Sequence, residues 1–371
     1  MKLVRYLFSR LSEDLLLLTL LLGLVILLLW MPEQLPQLPT LVEWHTIAIL
    51  TGLMVLSRGL EDSGALTRAG HWLLEHMHTE RQLALAMVVF AALLSAIVTN
   101  DVALFIVVPL TLSLGRALTL PTGRLIIFEA LAVNAGSAVS PIGNPQNLYL
   151  WQLSGDSFVT FFILMLPIAG WMLMVVLLLT TLSFSSRKIT VNTDLAKAPL
   201  SQSLLLISLL GYPLFLIWVE LGQMAWALVA VLGLFLLFWR NVLLGVDWLI
   251  LLIFVLMFVV LGLLAQLPVM AGLTQTLMAL PGEELTAGVL LSQVISNVPA
   301  AIFLSAFSED WYRLAWGVNV GGFGLAIGSM ANLIALRLGK QPGLWWQFHL
   351  WSLPTLLFSL LGAYLFLPWL G

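Results

Sequence analysis

Long apolar blocks fill this chain, and its information lies in the polar positions that interrupt them. Apolar runs over 15–30, 45–57, 158–184, 201–219, 224–239, 247–266 and 345–369 predict membrane-spanning helices. A spanning helix needs about 20 predominantly apolar residues, fewer where its ends snorkel. Blocks 83–115 and 284–308 are each cut near the middle, by Thr99-Asn100-Asp101 and by Ser296-Asn297. Both are long enough to enter and leave the bilayer on one side, as re-entrant helical hairpins. Blocks 125–153 and 314–336 are broken by Ser140-Pro141-Ile142-Gly143-Asn144-Pro145 and by Gly321-Gly322-Phe323-Gly324. Such breaks free backbone groups, which is tolerated at membrane depth only against protein or a wet cavity.

The interrupted segments echo each other. Val133, Asn134, Gly136, Ile142, Gly143, Asn147 and Leu148 recur as Val318, Asn319, Gly321, Ile327, Gly328, Asn332 and Leu333, at a constant offset of 185 residues. Leu93, Leu94, Ser95, Thr99 and Asn100 are matched by Leu290, Leu291, Ser292, Ser296 and Asn297. Polar, Gly-broken membrane segments repeated in both halves point to a transporter with its site at the repeat interface.

Composition agrees. With 61% hydrophobic and 9% charged residues the chain is an integral membrane protein. A net charge of -3 implies no nucleic-acid partner. The absence of Cys excludes disulfides and Cys-ligated metals. There is no Walker A loop and no dinucleotide fingerprint, which argues against ATP-driven pumping by this chain alone. Lys2, Arg5 and Arg10 precede the run Leu15–Trp30 as in a signal sequence. Trp30-Met31-Pro32 is no cleavage pattern, so the run reads as the first span.

Charge then sets the orientation. With the N-terminus cytoplasmic, the first hairpin opening inward and the second outward, 14 of the 15 Lys and Arg residues fall on the cytoplasmic side, Arg313 being the exception. Glu33, Glu43, Asp156, Glu220, Glu283, Glu284, Glu309 and Asp310 fall outside, as a positive-inside bias requires. The reading is an all-α polytopic membrane protein of two inverted-topology repeats, 1–184 and 224–371. Each holds an amphipathic surface stretch (63–82 or 269–282), a hairpin, a broken transmembrane helix and a last span. Residues 185–223 form a cytoplasmic linker and a connecting transmembrane helix, and the C-terminus is periplasmic.

Chemistry concentrates at the interruptions. Thr99, Asn100, Ser296 and Asn297 sit where half-helices meet near the midplane, and there oxygens can hold a cation and N–H groups an anion. Helix capping is the plainer use of such residues, but their repetition in both halves points to function. Asp101 follows the first tip, whereas Val298 follows the second, so the repeat does not require an acid there. An intramembrane carboxyl suggests an ion or proton relay, and Asp101 is the expected coupling group, for a proton or for sodium. Glu129 is either a second titrating group or the partner of Arg124 or Arg116. Asn134, Asn144, Asn147, Asn319 and Asn332 flank the breaks and can both donate and accept. Gly136, Gly143, Gly321 and Gly328 permit unwinding or close helix approach.

The expected substrate and ion site is therefore Thr99, Asn100, Asp101, Asn134, Gly143, Asn144, Ser296, Asn297, Asn319 and Gly328. Sodium, as coupling ion, would lie near Asn100, Asp101 and Asn297. His71, His76 and His78 with Glu75 read as a solvated face. No Lys or Arg lies at the depth of the tips, so a small or neutral oxygen-rich solute fits as well as an anion with a co-bound cation. No nucleophile–base pair or metal cluster appears at membrane depth, which argues against an enzyme, and no cofactor beyond the coupling ion is implied.

Thr99-Asn100-Asp101, Ser140 to Pro145, Ser296-Asn297-Val298-Pro299 and the Gly321 to Leu333 stretch resemble the ion transporter superfamily. Its members include citrate-type carriers, divalent-anion/sodium symporters, arsenite/antimonite permeases and certain sodium/proton antiporters. The likeness runs from about Leu41 onward. It implies an elevator-type fold, in which a scaffold forms a homodimer and a part holding hairpins and broken helices moves. Asp101 and Val298 replace the third residue of the symporters' Ser-Asn-Thr form, which leans toward the arsenite-permease branch. The expectation is an ion-coupled secondary active transporter of the bacterial inner membrane, moving a small anionic or oxygen-rich solute by symport or antiport. A sodium/proton antiporter is the alternative within transport. An uncoupled channel or membrane receptor is the alternative of another class.

Overall fold

The computed structural model describes residues 15–117, 120–189 and 199–369. Lys2, Arg5, Arg10, Lys197 and most of the predicted linker lie outside the described residues, as do the side chains of His71, Glu75 and Arg116. The helices are α1 (Leu15–Trp30), α2 (Trp44–Asp62), α3 (Ala65–Glu75), α4 (Glu80–Ile97), α5 (Asn100–Ala117), α6 (Thr122–Ser137), α7 (Pro145–Ser154), α8 (Phe158–Ser183) and α9 (Gln202–Glu220). They continue as α10 (Met224–Phe238), α11 (Arg240–Gly245), α12 (Trp248–Ala265), α13 (Pro268–Met278), α14 (Glu284–Ile295), α15 (Asn297–Leu304), α16 (Trp311–Gly321), α17 (Met330–Gly339) and α18 (Leu344–Phe366). Among the described residues extended pairing is limited to one bridge, Thr79 with Lys188.

This is a polytopic membrane protein. Helices α4, α8, α9, α12 and α18 are each long and apolar enough to cross a bilayer. A ten-residue 3-10 segment, Pro32–Leu41, meets α2 at a 50° bend. α1 and α10, of 16 and 15 residues, are shorter. At about 1.5 Å rise per residue they cover only about 24 Å and 22 Å of a hydrocarbon core about 30 Å thick.

The element series α2 to α8 recurs as α12 to α18. In each series the arm entering the hairpin packs on the first half of the broken helix, α4 on α6 and α14 on α16. The first hairpin breaks at Val98-Thr99 and the second at Ser296 alone. Both arms of the first hairpin have 18 residues, against 12 and 8 in the second. An arm of about 27 Å exceeds the half-helix expected from the sequence. The excess lies at the open end, where Glu80 and Arg81 occupy the first turn of α4.

Hydrogen bonds place the hairpins' open ends. Glu80 and Arg81 donate their backbone N–H groups to the carbonyls of Arg187 and Ser185, 3.0 Å each, just beyond the C-terminus of α8. The last turn of α5 returns to the start of α6, where Gly115 meets the Thr122 side chain. Arg124 there donates to the Ser183 carbonyl at 2.7 Å. The second hairpin opens at the other end of α8. There Glu220 accepts from the Phe158 N–H (2.6 Å) and Tyr312 donates to Asp156 (2.6 Å). Ser308 closes the two arms by donating to Glu284 (2.8 Å), beside the Arg313–Glu283 ion pair (2.7 Å).

Close approach in the first unit depends on Gly136, because a Cβ there would run into the Ala92 carbonyl of α4. At the matching Gly321 the nearest obstacle is a side chain, Ser292 Cβ at 2.7 Å. Gly136→Ala should therefore lower the melting temperature of the detergent-purified protein more than Gly321→Ala does, an overpacking effect of about 1–3 kcal/mol. Equal losses would contradict the backbone contact. The opposite hairpin mouths have their own test in this Cys-free chain. Cys at Glu220 or Asp310 should react with an impermeant thiol reagent from one membrane face and Cys at Arg187 or Lys188 from the other. Labelling of all four from one face would overturn the arrangement.

Candidate functional site

A break in a membrane helix leaves carbonyls at the end of one half and N–H groups at the start of the next. In both breaks asparagines satisfy these groups, and they do so across the two units. Asn147 Nδ2 donates to the carbonyls of Ser137 (3.3 Å), Ala138 (2.9 Å) and Ser140 (3.2 Å), the freed acceptors at the end of α6. Asn332 Nδ2 donates likewise to the Gly322 carbonyl (2.8 Å) at the end of α16. Each of these side chains then accepts from the opposite unit. Asn319 Nδ2 reaches Asn147 Oδ1 at 2.6 Å, and Asn134 Nδ2 reaches Asn332 Oδ1 at 2.7 Å.

The N-caps of the second halves complete the pattern. Asn144, capping α7 through the Asn147 N–H (2.9 Å), donates to Asn319 Oδ1 at 3.0 Å. Ser329, capping α17, donates to Asn134 Oδ1 at 3.0 Å. The four cross-unit contacts on Asn134 and Asn319 thus form two pairs that the 185-residue offset maps onto each other, with Ser329 in the place of Asn144. Asn134, Asn144, Asn147, Asn319 and Asn332 are all at most 4% exposed.

The hairpin tips dock on this core. The Asn100 N–H donates to the Gly143 carbonyl at 2.8 Å, seating the first tip on the first break. The side chains of Asn100 and Asn297 behave alike. Each turns its Oδ1 onto the next backbone N–H, that of Asp101 (2.9 Å) or Val298 (3.0 Å). That leaves the amide NH2 to face outward from the helix start. Asn297 Nδ2 is buried and has no partner among the described residues. It lies 3.4 Å from where a Cβ on Gly322 would stand, and Asn134 Oδ1 lies 3.6 Å from the same point. Ser296 holds φ 74°, ψ 158°. That region is essentially reserved for glycine and costs about 1–3 kcal/mol for a residue with a side chain.

The helix starts at Asn100, Asn144, Asn297 and Ser329 therefore surround one amide-rich centre, and their dipoles favour negative or oxygen-rich groups. Of the residues expected from the sequence, Asn134, Asn144 and Asn319 are joined by hydrogen bonds or by shared partners. Asn100 and Asn297 are carried to the same centre on the tips. Asp101 is half-buried in the first turn of α5, where Asn100 already makes the cap. Gly143 and Gly328 act through backbone and close packing, since a Cβ on Gly328 would stand 2.8 Å from the Gly321 carbonyl. Glu129 lies apart from the tips. It does not pair with Arg124, whose guanidinium bonds Ser183 instead and lies over the rings of Phe184 and Trp351. Its partner is the Thr111 hydroxyl.

Sequence reasoning missed Ser329 and Gln293. Ser329 was visible as the +185 mate of Asn144. Gln293 has no mate, since Ala96 takes its place in the first unit. Its Nδ-type reach is supplied by a longer amide: Nε2 donates to the Gly321 (2.7 Å) and Val289 (3.0 Å) carbonyls, and Oε1 accepts from the Leu325 N–H at 2.7 Å. Gly324 gives it room, because a Cβ there would strike the Gln293 amide. His76, expected on a solvated face, is exposed and bonds the Trp72 carbonyl at 2.7 Å.

Residues 11–316 match the family described as citrate transporter. The chain belongs to that family. It is 48% identical over 332 residues to inner membrane protein YbiR of Escherichia coli, covering 89% of each chain. Over 305 residues it is 33% identical to the uncharacterized transporter MJ0456 of Methanocaldococcus jannaschii, covering 81% of this chain and 82% of the relative. A shorter stretch of 126 residues is 31% identical to the silicon efflux transporter LSI3 of rice, covering 34% of this chain and 26% of that one. The family and its named transporters make this chain a membrane transporter.

The amide pairs predict a stability signature. Removing Asn134 or Asn319 leaves a buried amide of the other unit unpaired, a loss of about 1–3 kcal/mol. Paired in double-mutant cycles with Asn332→Ala and Asn147→Ala respectively, each should show a coupling energy of about 0.5–3 kcal/mol. Strictly additive melting shifts would mean that the cross-unit pairs do not form.

Proposed function

We propose that this chain is an ion-coupled secondary active transporter that moves a small anionic or oxygen-rich solute across the inner membrane. In this reading the series α2–α8 and α12–α18 are inverted-topology repeats, which accounts for hairpins that open at opposite ends of α8. The tips and breaks form one moving part of an elevator, α1, α2, α9, α10 and α12 belong to the dimerising scaffold, and the solute binds between the tips.

The observation that carries this reading is the unpaired, buried Asn297 Nδ2 beside Gly322 and Asn134. A buried donor left without a partner is destabilising by about 1–3 kcal/mol, and a ligand oxygen removes that penalty on binding. Gln146 Oε1, in the first turn of α7, is a buried acceptor likewise without a partner among the described residues, and α7 packs on α15. A donor and an acceptor suit a hydroxylated solute, which both accepts and donates. None of the side chains named at the centre is cationic, so a multivalent anion would need its charge balanced by a co-bound cation. Asp101, present only beside the first tip, is the group whose occupancy changes with that ion. The family is described as citrate transporter and one partial relative is a silicon efflux transporter, and citrate and silicic acid are both oxygen-rich solutes.

Citrate and silicic acid are therefore the probes for reconstituted protein, with and without an imposed proton or sodium gradient. Gradient-driven accumulation of one of them is expected, and Asn297→Ala should abolish it while the protein remains folded in the membrane. Asp101→Asn keeps the shape but removes the charge change, so it should retain solute exchange and lose gradient-driven accumulation. Wild-type dependence on pH and sodium in the Asn variant would reduce Asp101 to a packing residue. Indifference of uptake to every gradient would favour the uncoupled channel.

A further inference from the structure

Glu129 is wholly buried, in the middle of α6, five residues before Asn134. One carboxyl oxygen meets the hydroxyl of Thr111 on α5, and the other has no partner among the described residues. α6 packs against α4, α5, α8, α17 and α18. The ionisable groups described on α6 and these elements are Glu80, Arg81, Asp101, Arg124, Arg337, His349 and Tyr364, and no hydrogen bond or ion pair joins any of them to Glu129. Arg81 and Arg124 are turned to the carbonyls of Phe184 and Ser183, and His349 is held by Trp345 and Ala326. The side chain of Arg116 lies outside the described residues.

An ionised carboxylate in so dry a place, without counter-charge and with an oxygen unbonded among the described residues, is destabilising by several kcal/mol. The fold does not ask for it. The position 185 residues on is Leu314, also wholly buried, so an apolar side chain serves the same packing site in the second unit. Glu129 and Asp101 are both acids of the first unit whose second-unit counterparts, Leu314 and Val298, are apolar. Thr111 and Glu129 together fasten the outgoing arm of the first hairpin to the helix that bears Asn134.

We propose that Glu129 is a proton-binding site of the transport cycle: it holds a proton in this closed arrangement and releases it to water when the Thr111 contact opens. The O–H bond of the carboxyl breaks, the proton passes to water, and the carboxylate that remains is stabilised by that water. Rebinding of a proton is then the condition for closing α5 onto α6 again. The proposal rests on the reading of the chain as an ion-coupled carrier, and it makes the proton one coupling ion, whatever Asp101 binds.

Infrared spectroscopy of the reconstituted protein in H2O and D2O tests it without any solute. A carbonyl stretch of a protonated, slowly exchanging carboxyl should be present at neutral pH, vanish in Glu129→Gln and persist in Asp101→Asn. In Thr111→Val the same band should move to higher frequency, because its carbonyl loses a donor. Glu129→Leu, copying Leu314, replaces the Gln variant should that one fail to fold. With the probe that the wild type accumulates, Glu129→Gln should keep exchange but lose the response to a pH gradient. No protonated-carboxyl carbonyl stretch in the wild type, or one that stays unchanged in Glu129→Gln, would overturn the proposal, whether Glu129 is ionised against Arg116 or otherwise. So would wild-type pH dependence of accumulation in the Gln variant. Failure of the wild type to move either probe would instead count against the transport reading, and the infrared band would still decide the protonation of Glu129.

Discussion

Backbone groups freed inside a membrane must find partners in the protein, and most of what is distinctive in this structure follows from how that demand is met. Each broken helix ends in carbonyls that water does not reach. Asn147 and Asn332 cover them, but an asparagine that spends its NH2 on carbonyls still has an oxygen to satisfy. That oxygen is met by Asn319 or Asn134 from the other unit. Neither break is self-sufficient. The two units therefore fold as one body around their breaks, although each has its own hairpin and its own packing of arm on half-helix.

This arrangement places the site's chemistry where it can respond to a solute. Amides fully engaged with one another form a rigid floor, and the tips lie over it, with one donor left over. Rigid surroundings and a few unmatched groups, here the Asn297 donor and the Gln146 acceptor, are what selective binding of a small polar molecule needs, because the surroundings do not relax to satisfy them in the solute's absence. The strained backbone of Ser296 at the same tip fits this picture of a segment held in place by its neighbours. The symmetric parts of the core supply shape, while Asp101 and Glu129, whose second-unit counterparts Val298 and Leu314 are apolar, supply carboxyl groups.

Much of this was legible in the residues. The offset of 185 identified the breaks and both members of each amide pair, because a break needs Asn and Gly whatever surrounds it. The helix breaks at Val98-Thr99 and at Ser296 were legible as polar residues in mid-block. The pairing itself was not, since periodicity says that Asn134 and Asn332 are special but not that they touch. The long arms of the first hairpin were also hidden, because apolar length does not distinguish an arm from a span. Glu129 looked ready to pair with Arg124 one and a half turns away. In the structure that arginine is drawn to the end of α8 by a carbonyl and two rings, a tertiary preference that local spacing does not encode.

The fit of Gln293 against Gly324 makes the two positions interdependent. The first unit holds Ala96 and Val139 at the positions that match Gln293 and Gly324 in sequence, so bulk lies on the other member of the pair. Two residues that occupy the same space cannot be exchanged in either order. Enlarging Ala to Gln while a valine still stood opposite would drive an amide into a side chain and split the hairpin arm from the break. Shrinking the valine first leaves only a void, which a membrane protein survives. A residue without a side chain at 324 is therefore the condition for the glutamine at 293.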